Sequence, residues 1–343
     1  MTLDNQPALQ PSRLYRIDQL AIGLDGLTSA TATVPEPGPG EVLVRVRATA
    51  LNFRDLIILD GLYMVQPPAG CIPLSDAAGQ IVALGDGVSS LAMGDRVANG
   101  FFQGWIDGPY TGKYGGYSAD VDGWLSDYRV VAAQELVRLP DSLSFEEAAT
   151  LPCAGVTAWS ALKGVKPGDT ILTQGTGGVS LFAVQLAKAL GARVIATTSS
   201  DAKAAQLLAL GADHTINYQR EPQWSQRVRE LTGGNGADRI IEVGGSGTFE
   251  QSVKAIRLGG QVSMVGALTG LQGGVEYLPM FLSQARYQPI VIGSRQDLDD
   301  LVQFMVQHAI RPQIDSRWDF SDTKSAYARL MTRSIFGKVV ITL

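Results

Sequence analysis

Two features of the chain bear directly on chemistry. The first is Gly175-Thr176-Gly177-Gly178-Val179-Ser180, set between an apolar run and a helical one. Gly175 permits a tight turn, Gly177 lets backbone approach a pyrophosphate, and Ser180 is small enough for helix to close on strand. Backbone N–H groups at the start of the helix would hold the anion. A plain strand-to-helix turn would use the same glycines, so the weight falls on the segments beyond the loop. The second feature is a shortage. The 343 residues include two cysteines, Cys71 and Cys153, and two histidines, His214 and His308. That count excludes a four-thiolate zinc site and leaves few ligands for a catalytic one. It also excludes a disulfide scaffold, and the expectation is a reduced, cytoplasmic setting.

Composition narrows the class further. The net charge is −5, charged residues make up 18 %, and both signs are interspersed, so no basic nucleic-acid footprint appears. No apolar run reaches the length of a membrane span. Met1 to Ser12 is polar, carries Pro7 and Pro11, lacks a signal-peptide core, and reads as a loosely packed start.

The elements that must position these residues fall into two patterns. Up to about residue 138 the chain reads as short strands and turns: Val42–Ala48, Gly79–Gly85, Gly94–Ala98 and Tyr128–Val131. Between them, Asn99 to Trp124 reads as a long ordered loop. Its aromatics, Phe101, Phe102, Trp105, Tyr110, Tyr114 and Tyr117, could line an apolar pocket or form a small core of their own. A helix then starts after Ser144 as N-cap, and from about residue 165 strand and helix alternate. Strands are expected at Thr170–Thr173, Val194–Thr198, His214–Tyr218, Arg239–Val243 and Gln261–Val265. Helices are expected at Leu181–Leu190, Ala202–Leu210, Gln223–Leu231 and Phe249–Leu258. Such alternation means a parallel sheet covered on both faces. The tail adds helices near Leu298–His308 and Thr323–Thr332 and a strand Lys338–Thr342. The domains expected are 1–138, completed by 294–343, and 139–293.

With these alternations behind it, the glycine loop reads as a dinucleotide site. The residue that would hold a ribose 2′-hydroxyl in an NAD site stands about 20 residues on, at the end of the second strand. Here that place is Thr198, with no acid. Ser199, Ser200 and Lys203 follow and offer hydroxyls and a cation for a 2′-phosphate, which favours NADP(H) over NAD(H). The serines could equally cap a helix, and Asp201 reads as part of that cap. Val243, Gly244, Val265 and Gly266 lie at the carboxyl ends of later strands, where ligands of open α/β sheets bind.

In order, the chain carries Leu51-Asn52-Phe53-Arg54-Asp55, Pro73-Leu74-Ser75-Asp76-Ala77-Ala78-Gly79, Gly94-Asp95-Arg96-Val97, Leu151-Pro152-Cys153-Ala154-Gly155-Val156-Thr157-Ala158-Trp159, the glycine loop and Phe336-Gly337-Lys338-Val339-Val340. From about residue 30 onward this series resembles the medium-chain dehydrogenase/reductase superfamily. The resemblance implies an α/β fold: a GroES-like β-rich substrate domain joined to a Rossmann domain with a doubly wound parallel sheet. Zinc-dependent members carry Cys, His and Cys ligands in three of these motifs. Here Asn52 and Ser75 stand in two of those places, Asp76 replaces the Glu after the His, and only Cys153 keeps its type, so no zinc is expected.

The chain looks most like the zinc-independent quinone oxidoreductase and enoyl reductase branches. The resemblance implies hydride transfer from NADPH to a small apolar quinone or α,β-unsaturated carbonyl. The alternatives are an NAD(P)-dependent alcohol dehydrogenase and a non-catalytic NADPH-binding protein. It places Asn52 nearest the nicotinamide and substrate, although Asn52 could be a plain turn amide. Tyr63 resembles a proton-donating tyrosine of enoyl thioester reductases, or it packs at a rim and water supplies the proton. By the same resemblance Thr157, Gly293 and Ser294 lie near the nicotinamide and Tyr218 flanks the 2′-phosphate. Lys338 is either a cofactor contact or an exposed turn lysine. Arg54 and Asp55 read as a local, structural ion pair, and the histidines as surface or cap residues. A homodimer built on a strand Gln288–Ile292 is also implied.

Overall fold

A computed structural model describes residues 10–270 and 272–343. Met1 to Leu9 of the expected loose start lie outside it. Ser12, the end of that stretch, instead opens a buried strand, its hydroxyl 3.0 Å from that of Ser126. The chain divides into two compact units. The first runs to Pro152 and resumes over Ser316–Arg333 and Val339–Leu343; the second is Cys153–Asp315 with Ser334–Lys338. The first therefore continues past the 138/139 division read from the sequence.

The first unit opens with an antiparallel pair, β1 (Ser12–Ile17) and β2 (Leu27–Ala32). β3 (Glu41–Ala50) is the axis of its main sheet and precedes helix α1 (Phe53–Leu59). β4 (Asp76–Leu84) and β5 (Arg96–Asn99) follow, then a two-residue pair, β6 (Phe102–Gln103) and β7 (Gly115–Gly116), inside the expected long loop. β8 (Tyr128–Ala132), β9 (Leu136–Arg138) and the short helix α2 (Phe145–Ala148) complete this stretch. Ser144 caps α2 as expected, its hydroxyl accepting from Glu147 N–H. β3 pairs antiparallel with both β4 and β8. The alternation Val42, Val44, Val46 puts one face of β3 into a core with Ile81, Val97, Tyr117, Trp124 and Leu136.

The second unit begins with helix α3 (Val156–Leu162). It then alternates β10 (Thr170–Gln174), α4 (Gly178–Ala189), β11 (Arg193–Thr198), α5 (Asp201–Ala209), β12 (His214–Asn217), α6 (Trp224–Leu231), β13 (Ala237–Glu242), α7 (Phe249–Ala255) and β14 (Ile256–Met264). A short helix α8 (Tyr277–Ser283), β15 (Arg286–Pro289) and α9 (Arg295–Gln307) follow. All neighbouring strands are parallel, in the order β12-β11-β10-β13-β14-β15. Chain direction across the sheet reverses between β10 and β13, the point where doubly wound sheets bind ligands. β10 is buried throughout because both faces are covered.

Two sequence expectations shift here. The helix expected to reach Leu258 stops at Ala255, because Ile256 already pairs with Ala237 and the following Gly259-Gly260 favours no helix. The strand expected at Gln288–Ile292 lies at Arg286–Pro289, set by its register with Gln261–Met264 of β14. After α9 the chain forms β16 (Ile314–Asp319), α10 (Thr323–Met331) and β17 (Lys338–Thr342), with β17 joining β3.

Candidate active site

In the first unit, Asn52 ends the turn out of β3 and stands at the N-cap of α1. Its N–H donates to the Asp55 carboxylate at 2.7 Å, and Asp55 N–H donates to the Asn52 carbonyl at 3.0 Å. Both side chains are buried. A carboxylate in the first turn is also favoured by the helix dipole. Tyr327 of α10 lies near; burial and the Asp55 charge push its phenol well above its ordinary range. Arg54 donates to the Tyr117 carbonyl at 3.0 Å and lies over the rings of Tyr63 (4.8 Å) and Phe101 (4.9 Å). Its 3.9 Å approach to Asp55 is the expected local ion pair. Tyr117 in turn donates to the buried Glu135 at 2.7 Å. Burial raises both groups, and the tyrosine hydroxyl holds Glu135 back. Tyr63 is half-buried beside Tyr110. Most aromatics of the Asn99–Trp124 loop pack on one another: Phe102, Trp105, Tyr110 and Tyr114 have ring centroids 5.1–5.9 Å apart.

The ligand places of zinc-dependent relatives are occupied differently. Ser75 donates to Asp76 at 2.7 Å, both fully buried, and Asn99 Nδ2 donates to the Ser75 carbonyl at 2.8 Å. Cys153 is half-buried in a wide helical turn, Leu151–Gly155. Cys71 is buried, and loss of solvent pushes its thiol up to about 12, which keeps it protonated and unreactive. Among the described residues no three His, Cys, Asp or Glu side chains gather as a metal site.

In the second unit the glycine loop sits where the strand order reverses. Gly175 has φ +74°, a conformation glycine adopts freely. A Cβ on Gly177 would meet open space, whereas one on Gly178 would fall 2.6 Å from Lys338 Cδ. The first N–H groups of α4, on Gly178, Val179 and Ser180, lie beyond the reach of intrahelical acceptors. Such groups could hold an anion. Ser180 donates to the Gln174 carbonyl at 2.6 Å, and Thr176 to the Ile335 carbonyl at 3.0 Å, so both hydroxyls shape the loop. Gly337 N–H donates to the Thr176 carbonyl at 3.0 Å. Lys338, expected as a contact or an exposed lysine, is neither exposed nor on a turn: it opens β17 with 3 % exposure, its stem against Gly178.

At the end of β11, Thr198 accepts from Tyr218 N–H at 3.0 Å, which brings Tyr218 beside the strand end. Ser199 is exposed. Ser200 is the N-cap of α5 and accepts from Lys203 N–H at 3.2 Å, while the Lys203 ammonium donates to the Ile335 carbonyl at 3.0 Å. Asp201, expected in the cap, is the first helical residue instead, and its carboxylate is taken by Asn217 (2.7 Å) and Arg220 (2.5 Å). Val243, Gly244, Val265 and Gly266 do come together at adjacent strand ends: Val265 and Gly266 N–H both donate to the Glu242 carbonyl, at 2.8 and 3.2 Å. Thr157 is buried in α3, and Gly293 fits against Val156 and Ser160 of that helix. Ser294 caps α9 in a reciprocal pair with Asp297. His308 is the C-cap of α9.

Two residues of this region carry no sequence expectation. Glu242 is 1 % exposed and accepts from Gly244 N–H (2.8 Å), Gly245 N–H (3.0 Å), Thr248 (2.5 Å), Ser252 and the Gln174 amide (2.8 Å). It fixes the turn that carries Gly244. The signal was a polar residue at the end of each of two apolar strands, Gln174 and Glu242, because a buried polar group needs partners.

Two family models match the chain: an alcohol dehydrogenase GroES-like domain over residues 38–141 and a zinc-binding dehydrogenase domain over 178–307. A zinc-type alcohol dehydrogenase-like protein of Schizosaccharomyces pombe is 40 % identical, over 96 % of this chain and 99 % of that one. The chain belongs to the medium-chain dehydrogenase/reductase superfamily. Its second unit is the superfamily's Rossmann domain and its first the GroES-like one. Among other superfamily members, a quinone oxidoreductase of Pseudomonas aeruginosa is 34 % identical over 89 % of this chain and 92 % of its own. A solved NAD-dependent alcohol dehydrogenase superposes with a TM-score of 0.90 at 33 % identity, covering 96 % of this chain and 99 % of that one. Membership makes the protein an oxidoreductase. The metal implied by the name zinc-binding dehydrogenase does not fit the residues present, because an amide, a hydroxyl already bonded to Asp76 and one thiol make a poor donor set. Among the described residues no helix is long and apolar enough to cross a membrane.

Proposed function

We propose that the protein is a zinc-independent NADPH-dependent reductase of quinones or α,β-unsaturated carbonyls. The observation that carries this reading is the replacement of metal ligands by Asn52 and by the Ser75–Asp76 hydrogen bond. Alcohol oxidation needs a group that lowers the hydroxyl pKa, which zinc supplies as a Lewis acid. Reduction of a quinone or enone needs only hydride, hydrogen bonds to the developing enolate or phenolate, and a proton.

When bound, a nicotinamide supplies the hydride. The N–H groups of Gly178, Val179 and Ser180 would hold its pyrophosphate, and Gly177 leaves that approach open. Ser199 and Lys203 would hold a 2′-phosphate at the Thr198 strand end, beside Tyr218. Thr157, Val243, Gly244, Val265, Gly266, Gly293 and Ser294 line the nicotinamide half. Asn52 donates to the reduced carbonyl oxygen, and Tyr63, oriented by the Arg54 guanidinium, delivers the proton. The substrate and nucleotide roles divide along the two compact units, with the first running to Pro152 and the second over Cys153–Asp315. Two copies pair along β15 and α8, whose Tyr277, Leu278, Phe281 and Leu282 are all at least 60 % exposed.

The decisive measurement is NADPH consumption against a panel of quinones and enones, with metal analysis of the same preparation. Turnover in metal-free protein is the expected result. Stoichiometric zinc whose chelation abolishes activity supports the second reading, an alcohol dehydrogenase, which the names of several relatives favour. Sedimentation at micromolar concentration reads the dimer.

A further inference from the structure

The opposite end of the Rossmann sheet holds a polar cavity of about 370 Å³ that the proposed reduction does not use. It lies at the amino-terminal ends of β10, β13, β14 and β15, whereas nucleotides bind at the carboxyl ends of such strands. Its walls carry four cations, Lys166, Arg239, Arg257 and Arg286, and two acids, Asp169 and Asp238. Asp238 is committed: it pairs with Arg257 and accepts from Thr170 N–H at 2.7 Å. Asp169 accepts from Lys166 N–H at 2.9 Å. Three cations then face one remaining carboxylate, an excess of two positive charges.

Arg239 makes the excess costly. It is 9 % exposed, and among the described residues it donates to carbonyls at the end of α3, Ala161 at 2.6 Å and Lys163 at 3.2 Å, with no partner for its Nε. Carbonyls orient a guanidinium but do not neutralise it, and buried charges are ordinarily paired. Burial lowers the pKa of Arg239; Asp169 opposes the shift and Arg286 adds to it, so the two arginines act on each other across the cavity. An anion would relieve that repulsion. Guanidinium forks match phosphate oxygens in pairs, and the volume suits a small phosphorylated molecule.

We propose that this cavity is an accessory binding site for a phosphate or diphosphate group, separate from the nucleotide loop. The test is calorimetric titration of inorganic pyrophosphate into NADPH-saturated protein, repeated with inorganic phosphate and at matched ionic strength with chloride. The comparison protein is the double variant Lys166→Gln/Arg286→Gln, which alters two exposed side chains and leaves Arg239 in place. Pyrophosphate should bind the parent, and the double variant should bind it at least ~10-fold more weakly, the worth of one charge-assisted contact. Both proteins should hold NADPH equally. Heats that match chloride, an unchanged affinity in the double variant, or loss of binding on NADPH saturation would each overturn the proposal. If NADPH itself fails to bind, the nucleotide reading falls while the comparison of parent and variant still reports on the cavity.

Discussion

The corner around Asn52 and the loop around Gly177 place their chemistry in different parts of the chain. At Asn52 the proposed functional groups are side chains, and residues far apart in sequence hold them: Arg54 reaches Tyr117, and Asn99 reaches Ser75. At Gly177 the donors are backbone N–H groups, and side chains only shape them: Ser180 and Thr176 spend their hydroxyls on carbonyls of the frame. The first region should therefore fail gradually when side chains are trimmed. The second should fail when a side chain is added.

The largest effect expected is for Gly177→Val. Its φ of −77° and the open space around it admit a side chain without strain, so melting should change little, while NADPH affinity falls ~100-fold because the valine fills that space. Fluorescence titration reads this, and unchanged affinity would break the contrast. Next, Tyr117→Phe removes a hydrogen bond to a buried carboxylate and should cost about 2 kcal/mol near neutral pH in a denaturant titration. Glu135 already has a raised pKa, so the folded state binds its proton more tightly than the unfolded chain does. Without the tyrosine that pKa rises further. The loss should therefore shrink as pH falls below the carboxylate's folded value, where the folded group is neutral in parent and variant alike.

Asn52→Ala should lower kcat ~20-fold by removing one donor to the developing oxyanion, while costing about 1 kcal/mol of stability at the N-cap of α1. Normal turnover would remove Asn52 from the chemistry. Lys203→Gln should cut the preference for NADPH over NADH by ~10-fold, one charge-assisted contact, read as the ratio of the two affinities. The smallest effect is expected of Tyr63→Phe: kcat down ~5-fold, because water can replace a rim phenol as proton donor. A rate equal to the parent's would assign the proton to water outright.

The glycine loop and the alternation behind it were legible from local sequence, because a tight turn and a doubly covered strand each impose residue types within a few positions. β10, β11 and α4 stand within a few residues of expectation. Helix α1 was not legible: Phe53–Leu59 is too short and apolar to show a helical period, and its form depends on packing against α10, more than 260 residues on. β1, β2 and β16 were not read from the sequence either, although β1 and β2 pair with each other and β16 neighbours β17. The aromatic loop was open to two readings because composition cannot tell a pocket lining from a self-packed core; the ring contacts favour the core for most of its aromatics.

The sequence by itself determined the superfamily, the glycine loop and which residues stand in the places of the metal ligands, all of which are written in residue types at fixed spacing. Tertiary structure alone decided what those residues touch. It turned Ser75 toward Asp76, used Ser200 as a cap, buried Lys338 against Gly178 and gathered five donors around Glu242. The physical reason is that a buried polar group must find partners, and those partners come from whatever segments the fold brings within about 3 Å.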